Sequence, residues 1–285
     1  MVETYSFLKM IKENICKLNL RNQEDVRMEP PVLYRKEGYK AYITFNRPHA
    51  LNAMTPEGFE MIGSYFLEAQ NDNDIRVIIL TGTGEKAFCS GADLKETIPL
   101  IMAGKVDPEK TDSAVLKNTP VWKPIIAAVN GYCLAGGMEI LEATDIRIAS
   151  EVARFGLPEP KWSIMAAAGS LVRLVRQIPY CRAMEILITG EQITAQEAKE
   201  IGLINKVVPK GNLMEEVERV ADIICYNGPI AVQNTKKAVL RLLNLPMDLA
   251  FREEWRYSEE AFKSEDSREG IRAFAEKRTP NFIGK

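Results

Sequence analysis

Ile125-Ile126-Ala127-Ala128-Val129-Asn130-Gly131-Tyr132-Cys133-Leu134-Ala135-Gly136-Gly137-Met138-Glu139 opens as a continuous apolar run, breaks at an Asn-Gly pair and restarts behind two glycines. The run reads as a strand with both faces covered, and the segment after the glycines as a helix that carries Glu139. Val77-Ile78-Ile79-Leu80 has the same character and ends at Thr81-Gly82-Thr83-Gly84. Buried strands alternating with helical segments predict an α/β fold with parallel strands.

Outward from these strands, Tyr34, Tyr39, Tyr42, Ile43 and Phe45 around Gly38 predict a hairpin. Thr55-Pro56-Glu57 predicts a helix start, with threonine as the N-cap and proline at the first helical position. Thr97 to Pro120 mixes Pro, Gly, Lys and Asp with scattered apolar residues and reads as a mobile pocket wall. Beyond Glu159 the pattern is helical at Arg182 to Ile188, Thr194 to Ile201, Leu213 to Tyr226 and Leu249 to Phe262, with a capping box at Thr194-Ala195-Gln196-Glu197. Leu8, Ile11, Ile15 and Leu18 recur at helical spacing ahead of Pro30-Pro31. This organisation divides the chain into an N-terminal helical extension and linker (1–31), an α/β core (32–200) and a helical C-terminal region (201–285). No sequence repeat is apparent.

Composition excludes several classes of function. The 285 residues carry a net charge of -2 and a pI near 5.8, which offers no general pull on phosphate backbones and argues against nucleic-acid binding. The five cysteines lie at least 44 residues apart without CxxC spacing, so neither a zinc ribbon nor a disulfide framework is expected. The first thirty residues balance five Lys/Arg against five Asp/Glu, unlike a secretory or transit peptide. No apolar run approaches the ~20 residues of a membrane span. The expected setting is reducing and cytoplasmic, without membrane association.

The chemistry concentrates in two glutamates twenty residues apart, Glu139 and Glu159. Glu159 follows Phe155-Gly156-Leu157-Pro158, with Trp162 nearby as a core or pocket-wall aromatic. Burial there raises a carboxyl pKa and suits it to proton transfer near neutrality, although an exposed loop carboxylate is the plainer alternative. Glu142 stands three residues beyond Glu139, and a solvated acidic face is the expectation for it. In Ala87-Phe88-Cys89-Ser90-Gly91-Ala92-Asp93-Leu94 a strand end meets a glycine, which leaves the Ala92 N–H unpaired; Gly136 offers a second N–H at a helix start. Two such donors stabilise an enolate or a tetrahedral oxyanion, while spacing alone reads both equally as loop glycines needing positive φ. His49 is the single histidine and follows Arg47-Pro48 in a loop, which disfavours a nucleophile-histidine pairing. Gly82-Thr83-Gly84 lacks the rest of a dinucleotide fingerprint and reads as a turn.

Together with Asn46-Arg47-Pro48-His49-Ala50-Leu51-Asn52-Ala53-Met54, these motifs resemble the crotonase, or enoyl-CoA hydratase/isomerase, superfamily, from about Val32 to Phe274-Ala275-Glu276-Lys277-Arg278. The resemblance implies a spiral of ββα units with a helical C-terminal region used for trimerisation, in homotrimers or homohexamers. It implies an acyl-CoA thioester substrate, with coenzyme A entering as part of that substrate and no metal or other cofactor. Ala92 and Gly136 then hold the thioester oxygen. Ala50 and Ala92-Asp93-Leu94 line the CoA path, Trp162 adds to the pocket, and Lys277 lies near the CoA phosphates. Glutamate at both acid/base positions implies hydration of a 2-enoyl-CoA, or dehydration of a 3-hydroxyacyl-CoA, with Glu139 activating water at Cβ and Glu159 exchanging the Cα proton. An isomerase, a thioester hydrolase, a carbon–carbon lyase and a non-catalytic or RNA-associated scaffold are the competing readings. Met165-Ala166-Ala167-Ala168-Gly169-Ser170 departs from the proline-glycine-x-glycine-glycine of simple hydratases, and its methyl groups are expected to narrow or reshape the acyl pocket.

Overall fold

A computed structural model describes residues 29–285, of which Pro31–Lys285 form one compact unit. The predicted helix over the first twenty residues lies outside the described residues.

Two sheets are built in alternation. The larger contains β1 (Val32–Glu37), β2 (Lys40–Phe45), β3 (Val77–Gly82), β5 (Ile125–Val129), β7 (Ile146–Ser150) and β10 (Lys206–Val208), in the order β1-β2-β3-β5-β7-β10. The smaller has the order β4-β6-β8-β9, with β4 (Ala87–Cys89), β6 (Tyr132–Leu134), β8 (Arg154–Gly156) and β9 (Ile193–Thr194). From β3 to β8 the chain therefore visits the two sheets in turn, strand by strand. After β4, β6 and β8 it passes into helices Thr97–Met102, Gly136–Leu141 and Ser170–Gln177. This is the spiral of ββα turns implied by the family resemblance.

The uninterrupted apolar runs have a direct cause. Side chains alternate faces along a strand, and here both faces are covered. Ile78, Leu80, Ile125, Ala127 and Val129 pack into the core toward the small sheet. Val77, Ile79, Ile126 and Ala128 pack on the opposite face against Leu213, Val217 and Ala221 of helix Leu213–Tyr226.

The hairpin forms as predicted, β1 pairing antiparallel with β2 around Gly38 at φ +55. Helix Pro56–Asn71 starts at its predicted cap, the Thr55 hydroxyl accepting from the Gly58 N–H at 3.0 Å. The capping box at Thr194 and Glu197 is present. Asn130 accounts for the turn after β3, its amide nitrogen donating to the carbonyls of Gly82, Gly84 and Ala87.

The segment from Thr97 to Pro120, read from sequence as a mobile pocket wall, holds two short helices, Thr97–Met102 and Pro108–Ala114. Asp107 caps the second, with Pro108 as its first residue, and the buried Thr97 hydroxyl donates to the Met54 carbonyl at 2.8 Å. Among the described residues no helix is long and apolar enough to cross a membrane.

Candidate active site

Three neighbouring parallel strands of the small sheet, β4, β6 and β8, deliver the candidate residues from their carboxyl ends. Cys89 pairs with Cys133, and Leu134 with Gly156. The chain just beyond each register position contributes, respectively, Ala92, then Gly136 and Glu139, then Glu159. Strand ends of this kind are where open α/β sheets hold their ligands.

The turn before Ala92 is fixed by the loop Asn46–Met54. Asn52 is buried, takes φ +56 and donates from its side chain to the carbonyls of Thr83 and Ala87. Its own carboxamide oxygen accepts from the Arg47 N–H at 2.9 Å. Met54 then bridges Ala92: the Met54 N–H donates to the Gly91 carbonyl and the Asp93 N–H to the Met54 carbonyl, each within 2.9 Å. That bridge uses the groups on either side of Ala92 and leaves its own N–H directed away.

Gly136 follows Ala135, which takes φ +50 and ψ -129, a costly conformation for a residue with a Cβ. It is held there by the Ala135 N–H, which donates to the Gly156 carbonyl at 3.0 Å. Neither the Ala92 nor the Gly136 N–H makes a hydrogen bond among the described residues. The two are adjacent, since a Cβ placed on Gly136 lies 3.6 Å from the Ala92 nitrogen. Two unsatisfied amides side by side form a ready receptor for a developing oxyanion.

Both glutamates are buried, Glu139 at 4% and Glu159 at 7% exposure. Burial raises the Glu139 carboxyl, while the Ser170 and Ala168 amides and the Lys117 and Arg173 cations hold the rise back. The Ser170 N–H reaches Glu139 Oε1 at 3.3 Å. Burial likewise pushes Glu159 up to about 7; its own backbone N–H opposes this and the Glu139 charge adds to it. Oε2 of Glu159 is buried without a hydrogen-bond partner. The pair therefore suits proton exchange near neutral pH.

Several expectations need correction. Glu142 is not on a solvated face: it is 2% exposed, because helix Gly136–Leu141 is covered on this side by helix Ser170–Gln177 and by β7. Trp162 lies outside the core at 64% exposure. The Asp93 carboxylate is committed within the protein, to Arg47 at 2.9 Å and to the N–H groups of Lys95 and Glu96. In the departing segment the Ala166 methyl is turned into the core, whereas Met165 and Ala167 face outward, so the methyl groups do not act as one constriction.

The remaining candidates divide by position. Ala50 is half-buried in the turn Pro48–Ala50 and Leu94 is exposed beside Asp93. Lys277 stands apart at the C-cap of helix Glu265–Glu276, its ammonium making no ion pair among the described residues. Sequence reasoning passed over Ser170, Lys117 and Arg173, all of which act on Glu139. A helix beginning at Ser170 behind Gly169 was the available signal for the first. No group of three His, Cys, Asp or Glu side chains able to hold a metal ion occurs among the described residues.

The sequence and fold of the chain match a known group of proteins. Residues 36–285 fit the family model described as enoyl-CoA hydratase/isomerase, and the chain belongs to that family. It is 44% identical over 262 residues to the enoyl-CoA hydratase EchA19 of Mycobacterium tuberculosis, covering 90% of this chain and 98% of that one. It is 38% identical over 254 residues to the (E)-benzylidenesuccinyl-CoA hydratase of Thauera aromatica, covering 89% and 99%. The crystal structure of an enoyl-CoA hydratase from Bacillus anthracis superposes with a TM-score of 0.84 at 35% identity, covering 90% of this chain and all of that one.

Proposed function

We propose that this chain is an enoyl-CoA hydratase, adding water across the double bond of a 2-enoyl-CoA and dehydrating the 3-hydroxyacyl-CoA in reverse. The observation that carries the reading is a pair of buried, pKa-raised carboxylates beside two adjacent unbonded amides. The thioester carbonyl accepts from the Ala92 and Gly136 N–H groups, which stabilise the enolate as it forms. Glu139 takes a proton from water attacking Cβ, and Glu159 gives one to Cα. Proton release and uptake balance across the pair, so the competent form carries one proton on two carboxylates. The reaction in this reading draws on no metal or redox group. CoA runs past Ala50 and Leu94, and Lys277 supplies a cation for its phosphates.

Incubation with crotonyl-CoA and with branched, cyclic and aromatic enoyl-CoAs tests the reading. Loss of enoyl-thioester absorbance with a product heavier by one water is the expected result. Free CoA or a displaced double bond would assign the site to hydrolysis or isomerisation instead.

The C-terminal helices favour an oligomer, a homotrimer or homohexamer. Helix Met247–Lys263 has no buried residue, and it and its neighbour expose Phe251, Trp255, Phe262, Ile271 and Phe274, the last at 87%. Apolar patches of this kind mark protein interfaces. In gel filtration the chain is expected well above its monomer mass of 32.0 kDa; elution at that mass would remove the assembly. A cytoplasmic location accords with the free cysteines Cys89, Cys133, Cys181 and Cys225.

A further inference from the structure

Behind Glu139 lies a second buried carboxylate that the reaction does not use. Glu142 sits three residues on, so one face of the helix carries both side chains inward. Ser170, fully buried at the start of helix Ser170–Gln177, touches both. Its N–H donates to Glu139 Oε1 at 3.3 Å, and its hydroxyl donates to Glu142 Oε1 at 2.8 Å. We infer that Ser170 and Glu142 are positioning residues for Glu139: Glu142 anchors the Ser170 hydroxyl, and the anchored serine presents its amide to the water-activating carboxylate. This inference rests on the assignment of Glu139 to water activation.

The surroundings of Glu142 fit that task. From its own helix Glu139 faces it, from β7 Arg147, from β6 Cys133, and from helix Ser170–Gln177 both Ser170 and Arg173. Arg147 does not pair with the Glu142 carboxylate; its guanidinium donates to the carbonyls of Leu203, Glu142 and Thr144. The second carboxylate oxygen, Oε2, is buried and unpartnered. Burial, with the Glu139 charge adding to it, pushes the Glu142 carboxyl up to about 8 against the opposing Ser170 hydroxyl and arginines. Glu142 is therefore the protonated, neutral member of the cluster at neutral pH. Its ionisation at higher pH sets a second anion behind Glu139, which raises the Glu139 carboxyl further and so alters proton transfer from water to it.

Glu142→Leu and Glu142→Gln, assayed with crotonyl-CoA, separate positioning from simple packing. Leucine removes the acceptor for the Ser170 hydroxyl, and kcat is expected to fall about tenfold with KM unchanged. Glutamine retains an acceptor oxygen and cannot ionise. It is expected to restore most of that loss and to leave the alkaline limb of the pH–rate profile governed by one ionisation where the wild type has two. Ser170→Ala, which keeps the amide and deletes the hydroxyl, should reproduce the leucine phenotype and provides a second route if Glu142→Leu misfolds. Equal kcat and identical pH profiles in wild type, Glu142→Gln and Ser170→Ala would overturn the inference. So would parallel losses in both Glu142 variants that follow a lowered Tm. Failure of the Glu139 assignment itself registers separately, as full turnover in Glu139→Gln.

Discussion

Glu139→Gln and Glu159→Gln should each lower hydration by about two orders of magnitude or more while acyl-CoA binding persists. Each substitution keeps shape and hydrogen-bonding capacity but ends proton exchange at that position. In the proposed mechanism the thioester is held by backbone amides and not by the carboxylates, so binding measured by calorimetry should stay near wild type. The pH dependence carries the same logic with a definite sign. Glu159 titrates at about 7, and Glu139 lies above the ordinary carboxylate range. As the one-proton form of the pair is the active one, kcat/KM rises as the pair loses its first proton and falls as it loses its second, giving a bell in both reaction directions. Near-normal turnover in either mutant would remove that residue from the mechanism.

Gly91→Ala should damage catalysis severely with a single methyl. Gly91 takes φ +97, and a Cβ there would stand 2.6 Å from the Ala135 Cβ and 2.9 Å from the Gly136 nitrogen. Neither neighbour can yield without turning the Gly136 N–H, which ends its convergence with the Ala92 N–H. Loss of one oxyanion donor costs about 10²-fold in kcat, and forcing a side chain into this conformation costs roughly 1–3 kcal/mol of stability. Gly211→Ala, where nothing lies within 4 Å of the added methyl, is the matched control. If Gly91→Ala matched that control in both kcat and Tm, the two-amide receptor would be refuted.

How far the sequence reveals this molecule depends on how many residues each signal spans. β3 and β5 are legible because four or five consecutive apolar residues record burial on two faces. The strands of the small sheet are three residues or fewer, too short to display any period, so the structural repeat stayed hidden although its parts were visible. Helix Pro108–Ala114 was passed over because the prolines and the glycine of the surrounding segment 97–120 counted as loop signals, yet Asp107-Pro108 is a good helix start. Glu139 and Glu159 stood out by their glycine and proline settings. Glu142 was misjudged since a six-residue helix enclosed on several sides has no solvent face to record in its spacing, and its serine partner lies 28 residues away.

Because the reacting groups hang from strand ends, the segments between strands are left as exchangeable cassettes. Residues 97–117 and 161–169 flank the carboxylates without joining either sheet, and they meet where the Lys117 ammonium donates to the Ala167 carbonyl. Substitutions or insertions there leave the ladder bonds of β4, β6 and β8 intact. Sequence there can thus drift over evolutionary time, or be shuffled in the laboratory, while the candidate centre keeps its register.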